Sequence, residues 1–96
     1  MAGFLEGISR FEWDAEKRDA NLRKHGIDFV DVMVALDGWR IIRRSDRNGE
    51  VRYLSICEVQ MRLVTVVYTL RDDACRIISA RAARKYEKEQ YHAIFG

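Results

Sequence analysis

The sequence predicts an α+β fold, a small antiparallel sheet of three to four strands with an N-terminal helical hairpin and a C-terminal helix, in the order α-α-β-β-β-β-α. Three observations support this prediction: helical periodicity over residues 14–36, β-branched and aromatic segments from residue 39, and helical spacing again after residue 80. The 96-residue chain has no proline and is 48% hydrophobic, which suits one small core. We therefore expect an irregular leader over residues 1–10 and one domain over residues 11–96.

Two capped helices are predicted in the first half of the chain. The first starts at Asp14, a good N-cap residue, and ends at Gly26, where a left-handed C-cap would fall. Residues 11–13 before it could form a short strand. The second helix is capped by Asp28, stops at residues 37–38 and carries an apolar stripe of Phe29, Val32, Met33 and Leu36.

Four segments are predicted to be strands, namely residues 39–45, 51–58, 62–70 and 76–80. Asn48-Gly49 supplies a hairpin turn between the first two. The third segment alternates apolar residues on both faces, as expected of a central strand. After Ala80 a helix is predicted, with Ser79 at its N-cap position and one side formed by Ala83, Tyr86, Gln90 and Ile94.

The net charge of +2 understates how well the chain could bind anions. Of its 17 basic residues 13 are arginine, whose planar fork can bind phosphate through two parallel hydrogen bonds. Residues 39–53 carry five arginines, and residues 76–96 carry five lysines and arginines. The sequence shows no metal-ligand cluster, no Gly-rich phosphate loop and no Ser/His/Asp set, so its chemistry has to rest on cations, hydroxyls and a histidine.

The sequence gives no sign of export or membrane insertion. No apolar run approaches the ~20 residues that span a bilayer, and residues 1–10 lack the basic start and apolar stretch of a signal peptide. We therefore expect a cytoplasmic protein with no membrane contact. Cys57 and Cys75 are too few and too far apart for a disulfide framework or a zinc site, and we expect two small buried apolar side chains.

Two strings carry a specific pattern. The first is FEWD at 11–14 with Lys17, Asn21 and KHGI at 24–27, and the second is RIISAR at 76–81 with Arg84. The pairs RY at 52–53 and YT at 68–69 open and close predicted strands. With these residues the chain resembles the BrnT family of toxins over about residues 11 to 91.

The resemblance implies a fold similar to RelE and ParE and a bacterial type II toxin that cleaves RNA and so arrests translation and growth. The cations and hydroxyls of the sequence, without a metal-ligand cluster, indicate cleavage without a metal or cofactor. It also implies a BrnA-like ribbon-helix-helix antitoxin, with operator DNA bound only through the toxin–antitoxin complex. Two features depart from the family pattern. Cys57 stands where glycine is frequent, and residues 58–61 lack the glycine expected in their turn.

A metal-free ribonuclease must deprotonate the 2′-hydroxyl of RNA, stabilise a pentacovalent phosphorane and protonate the leaving 5′-oxygen. Arg81 and Arg84 are predicted to occupy neighbouring helical positions, and His25 is a candidate proton carrier. The catalytic candidates are Arg81, Arg76, Ser79, His25 and Lys24. The RNA-binding candidates are Lys17, Arg52, Tyr68, Thr69, Arg84 and Lys88.

Several candidates also have a structural interpretation. The arginine stripe suits a solvated helix face, Ser79 a helix N-cap, and Lys24 and His25 the C-terminal end of a helix dipole. Tyr68 suits a sheet core, and Trp13 an anchor between the first helix and the sheet. Two other functions stay open: a ParE-like toxin that acts on a protein such as gyrase, and a binding module that does not cleave RNA.

Overall fold

A five-stranded mixed sheet with helices on both faces forms the frame of the computed structural model, which describes residues 7–96. The elements are β1 (Arg10–Glu12), α1 (Ala15–His25), α2 (Phe29–Ala35), β2 (Arg40–Arg44), β3 (Tyr53–Val59), β4 (Arg62–Arg71), β5 (Ala74–Ala82) and α3 (Lys85–Phe95). The strand order across the sheet is β1-β5-β4-β3-β2. Strands β2 to β5 form an antiparallel meander, and β1 runs parallel to β5.

The prediction of a sheet of three to four antiparallel strands was wrong, because it lacked strand β1, which runs parallel to β5. The element order therefore begins with a strand rather than a helix. Strand β1 covers most of the segment considered as a short strand, and it pairs Phe11 with Cys75 of β5. A strand of three residues is too short to show an alternating hydrophobic pattern in the sequence, so β1 is recognised only by its pairing with β5. Arg10 belongs to β1 and not to the expected irregular leader, of which residues 1–6 lie outside the described part of the chain.

The predicted caps of the first two helices are confirmed. The Asp14 side chain accepts hydrogen bonds from the first backbone N–H groups of α1, and Gly26 closes that helix with a φ of 70°. Asp28 caps α2 in the same way. Arg18 of α1 donates two hydrogen bonds to the Asp28 carboxylate, at 2.8 and 3.0 Å, and so joins the two helices.

The main core lies between α2 and one face of the sheet. It contains Phe29, Val32 and Leu36 of the predicted stripe together with Val64, Val66 and Tyr68 of β4, all fully buried. Trp13, predicted as an anchor between the first helix and the sheet, packs edge-on against Phe29 of α2 with ring centroids 6.1 Å apart and borders the main core. No helix within residues 7–96 is long and apolar enough to cross a membrane.

Both cysteines are buried free thiols, as expected. Burial raises the pKa of Cys57 and that of Cys75 to about 12. Thiolate is the reactive form of cysteine, so neither side chain is prepared for nucleophilic chemistry at neutral pH.

The side chain of Asn21 joins three separate parts of the chain. It is buried, its Nδ2 donates to the carbonyl of Ile27 at 3.1 Å, and its Oδ1 accepts from the backbone N–H of Ala80 at 3.1 Å. Helix α1, the turn into α2 and the outer edge of β5 are therefore held together by one amide.

The predicted start of the last helix was wrong. Strand β5 continues to Ala82 and α3 is preceded by Arg84 as N-cap, so Ser79 is a strand residue. The buried face of α3 contains Glu87 and Tyr91, whereas Tyr86 and Ile94 of the predicted side are 48% and 66% exposed. The apolar pattern of the sequence did not predict this buried face, because Glu87 in it carries a carboxylate.

Glu87 is buried among hydrogen-bond donors. Its Oε1 accepts from Thr65 Oγ1 at 2.9 Å and from the backbone N–H of Arg84 at 2.7 Å, and its two oxygens accept from the Arg81 guanidinium at 2.8 and 3.1 Å. Burial alone would raise the pKa of Glu87, but these hydrogen bonds and the Arg81 charge lower it to about 2. The carboxylate thus fastens α3 to β4 and β5.

Replacing Asn21 by Ala should lower the free energy of unfolding by about 1–3 kcal/mol, because buried backbone groups of Ile27 and Ala80 lose their partner. Urea denaturation monitored by circular dichroism measures the loss. Lys24→Ala, at an exposed position of the same helix, is the control and should stay within about 0.5 kcal/mol of wild type. Equal stability of the two variants would contradict this role of Asn21.

The free energy of unfolding should decrease as the pH is lowered from 4.5, the ordinary pKa of a glutamate carboxyl, to about 2, because Glu87 becomes protonated. Because the folded-state pKa is lowered, the contribution of roughly 3 kcal/mol is complete above pH 4.5 and lost as pH falls toward 2. Urea unfolding at a series of pH values should show Glu87→Gln less stable than wild type at neutral pH, with the gap closing in acid. Glu89→Gln, exposed on the same helix, should follow wild type throughout. A gap independent of pH would contradict the assignment.

Candidate functional site

A recess of about 220 Å³ lies between α1 and β5, and it gathers four of the predicted site residues. Lys17, Asn21 and Lys24 recur at helical spacing along the face of α1 that borders it. The residues that line it are Lys17, Ala20, Asn21, Lys24, His25, Ile78 and Ser79. Residues that carry two amines, an imidazole and a hydroxyl therefore line one recess, although His25 and Ser79 are 54 positions apart in sequence.

A β-bulge in β5 shapes the other wall of this recess. Tyr68 of β4 pairs with Ile77, whereas Val67 pairs with Ser79, so Ile78 is an extra residue in β5. Strand β1 pairs with Ala74 to Arg76 of β5, and beyond these residues α1 follows the edge of β5. The bulge therefore lies where the neighbour along the edge of β5 changes from strand β1 to helix α1.

The sheet face under α3 continues into an open area. The cross-strand pairs place Arg43, Leu54, Val67 and Ser79 in one row across β2 to β5. Helix α3 packs on the next row, which includes Ile56 and Thr65. Leu54, Val67 and Ser79 are half-buried and Arg43 is exposed, so this row is an accessible apolar floor with an arginine at one end and a hydroxyl at the other.

Arg76 lies in the neighbouring cross-strand row, three residues before Ser79 in β5. It pairs with Thr69 on the same sheet face, is half-buried, and has its Nη1 3.7 Å from Glu12. Glu12 makes a shorter contact of 2.8 Å with Arg10. The ion pair of Arg76 is thus a long one, and its guanidinium has hydrogen-bonding capacity left for an anion.

Arg81 is placed differently from its prediction. It lies in β5 and Arg84 is the N-cap of α3, so the expected neighbouring helical positions do not exist. Its side chain is 23% exposed and binds Glu87 through two hydrogen bonds. The Glu87 carboxylate raises the pKa of Arg81, which stays a fixed cation at the edge of α3.

The other predicted RNA-binding residues do not join the recess. Arg52 is bound to Glu50 at 2.8 Å, a carboxylate that also contacts Arg71 at 3.3 Å. Arg84 is exposed at the start of α3, and Lys88 lines a different groove with Trp39 and Phe95.

The side chains of Tyr68 and Thr69 are buried and do not lie on an open surface. Tyr68 is fully buried with its hydroxyl hydrogen-bonded to Ser55, and burial raises its pKa. The structural interpretation of Tyr68 is therefore confirmed, since its ring has no free face for a base. The buried hydroxyl of Thr69 donates to the carbonyl of Val51 at 2.7 Å.

Sequence reasoning missed Arg43, Leu54 and Val67. The alternation of each strand was visible, but the register that aligns the three residues depends on pairing across strands. The Asn48-Gly49 turn was a usable signal, because the residues before and after a hairpin turn determine which positions face each other. Within residues 7–96, no group of three or more His, Cys, Asp or Glu side chains is placed to hold a metal ion.

Comparison with known proteins agrees with the resemblance seen in the sequence. The model of the family described as "Ribonuclease toxin, BrnT, of type II toxin-antitoxin system" matches residues 13–87. The crystal structure of the Brucella abortus ribonuclease toxin BrnT is similar at 26% sequence identity and a TM-score of 0.60, over 79% of this chain and 97% of that one. No curated protein matches the sequence. The chain belongs to the BrnT family of ribonuclease toxins of type II toxin–antitoxin systems.

Proposed function

We propose that this protein is a metal-independent endoribonuclease whose site runs along β5. The observation that carries the proposal is the recess lined by Lys17, Lys24, His25 and Ser79, with Arg76 three residues before Ser79 on the same strand. Membership of a ribonuclease toxin family supports RNA as the substrate. The groups present are those that phosphodiester transesterification needs: a proton carrier, cations and a hydrogen-bond donor.

The proposed reaction uses the 2′-hydroxyl of the RNA as nucleophile. His25 takes its proton as the oxygen attacks the adjacent phosphorus, and the 5′-oxygen of the next nucleotide leaves as its bond to phosphorus breaks and takes a proton from a solvent water. The products are a 2′,3′-cyclic phosphate and a 5′-hydroxyl. Lys24 and Arg76 stabilise the added negative charge of the phosphorane, and the Ser79 hydroxyl donates to a non-bridging oxygen.

The open row of the sheet gives the RNA strand a path to this site. Bases pack on the apolar floor of Leu54 and Val67, while Arg43, Arg76 and Lys17 contact phosphates. Such contacts are tolerant of sequence and weaken with salt. Arg81 and Arg84 add positive charge at the edge of α3, with Arg81 held in place by Glu87.

The type II family implies a protein antitoxin. We propose a BrnA-like ribbon-helix-helix protein in this role, with the toxin acting in the bacterial cytoplasm to arrest translation and growth. Operator DNA is then bound through the antitoxin part of the complex.

Purified protein should cleave total RNA in excess EDTA and leave cyclic phosphate ends. His25→Gln should lower the rate by about 10²-fold or more, the usual loss for a general acid–base group. Arg76→Gln should lose at least about tenfold, the lower end of what one charge-assisted hydrogen bond supplies in a transition state. Arg23→Gln is the matched control, because Arg23 lies next to Lys24, pairs with Asp19 at 3.0 Å and does not line the recess.

Full activity of folded His25→Gln and Arg76→Gln would refute the site assignment. Loss of wild-type cleavage in EDTA would refute metal independence. Arg81→Ala is a poor test of catalysis. It leaves the buried Glu87 carboxylate without its guanidinium partner, so its loss of activity includes a loss of stability.

A further inference from the structure

The two flanks of helix α3 lie beside different rows of the sheet. The helix packs through Glu87 and Tyr91 on the row that contains Thr65. On one side of that row, next to the β3–β4 turn, the helix borders a groove of about 620 Å³. The lining of this groove includes Glu58, Leu63, Lys88 and His92. The open row of Leu54 and Val67 lies on the other side of Thr65, so it is bordered by the opposite flank of α3.

Tyr86 and Gln90 lie on this second flank. Successive residues of a helix are about 100° apart, which places Tyr86 and Gln90 on one side of the buried Glu87 and Lys88 on the other. Helix α3 begins directly after β5, so Tyr86 lies nearer to β5 and Gln90 lies one turn farther toward β3. The open row ends at Ser79, which lines the proposed active site. An RNA strand that continues along the row from that site therefore passes both side chains.

The ring of Tyr86 is available to a ligand. It is 48% exposed, and within residues 7–96 it forms no hydrogen bond and no contact with another ring. It lies near enough to Arg81, two residues after Ser79 in β5, for the two side chains to interact electrostatically. An exposed aromatic ring beside cations is the kind of group on which proteins stack unpaired bases.

Gln90 carries an amide that the fold does not use. The residue is half-buried and its Oε1 is buried, yet this oxygen accepts no hydrogen bond within residues 7–96. A buried amide oxygen without a partner destabilises the folded state, and a leucine at this position would avoid that cost. No described group fixes the orientation of the amide, so rotation about its last torsion can present either the oxygen or the nitrogen to a ligand.

We infer that Gln90 is a base-reading residue of this protein and that Tyr86 stacks an unpaired base beside it. The inference rests on the proposed path of single-stranded RNA along the open row. Contacts to phosphates carry no sequence information, and an apolar floor accepts any base. An amide offers a donor and an acceptor side by side, and so distinguishes one base edge from another. The RNA path therefore favours particular bases.

Binding of 2′-O-methyl RNA octamers, measured by fluorescence anisotropy, tests the inference apart from cleavage because these RNAs lack the nucleophilic hydroxyl. The dissociation constants of wild type for oligo(A), oligo(C) and oligo(U) should span about tenfold, which is within the discrimination that one amide–base pair supplies. Gln90→Leu should reduce this span to about threefold or less. Its melting temperature should equal or exceed that of wild type, because the substitution removes an unsatisfied oxygen and no hydrogen bond.

Tyr86→Leu should weaken the binding of all three RNAs by about fivefold or more, the lower end of what stacking of one base supplies. Glu89→Leu is the matched control for both variants, because Glu89 is exposed on the same helix and is on neither flank contact described above. It should keep the affinities and the span of wild type.

An unchanged span in Gln90→Leu would overturn the inference, as would the same loss in Glu89→Leu, equal affinity of wild type for the three RNAs, or binding of none of them. Wild-type affinity in Tyr86→Leu would overturn the stacking role. Cleavage is measured separately on unmodified RNA. Base discrimination lost in Gln90→Leu but without any wild-type cleavage would refute the proposed ribonuclease alone, whereas cleavage with the same base preference in both proteins would refute this inference alone.

Discussion

The buried carboxylate of Glu87 is the interaction on which the arrangement of this molecule depends. It accepts hydrogen bonds from a side chain of β4, a side chain of β5 and the backbone at the start of α3. A carboxylate taken out of water is stable only when its oxygens are satisfied in this way, so the network determines where α3 can lie on the sheet. Helix α3 consequently covers the row that contains Thr65 and leaves the row of Leu54 and Val67 open.

The proposed active site depends on a second constraint, the attachment of α1 to the edge of β5. A strand edge left without a partner would expose backbone groups, and here the amide of Asn21 meets one of them at Ala80. The bulge at Ile78 lies next to this attachment and shapes the strand around it. Lys24, His25 and Ser79 come together as a result, because the helix that satisfies the edge also carries the basic residues.

The two surfaces of α3 differ in chemistry. Near its N-terminus the helix borders arginines and a hydroxyl, which suits a polyanion with sequence-tolerant contacts. Near its C-terminus it borders the apolar side chains of Trp39, Phe95 and Met61. One short helix therefore borders two surfaces of different chemistry, one rich in cations and one apolar.

The sequence by itself determined the features that arise from local chemistry. The caps at Asp14, Gly26 and Asp28, the apolar stripe of α2 and the Asn48-Gly49 turn follow from local sequence, and the family strings implied the α+β class without the parallel strand β1. Tertiary structure alone decided strand β1, the continuation of β5 to Ala82 and the burial of Glu87, because each depends on a partner distant in sequence. The same reason explains the candidate site. The sequence could suggest candidate residues on a helix and a strand, but the bulge in β5 decided that Ser79 lines the same recess as His25. The cross-strand register decided that Tyr68 is buried and that Arg43, Leu54 and Val67 share an open row.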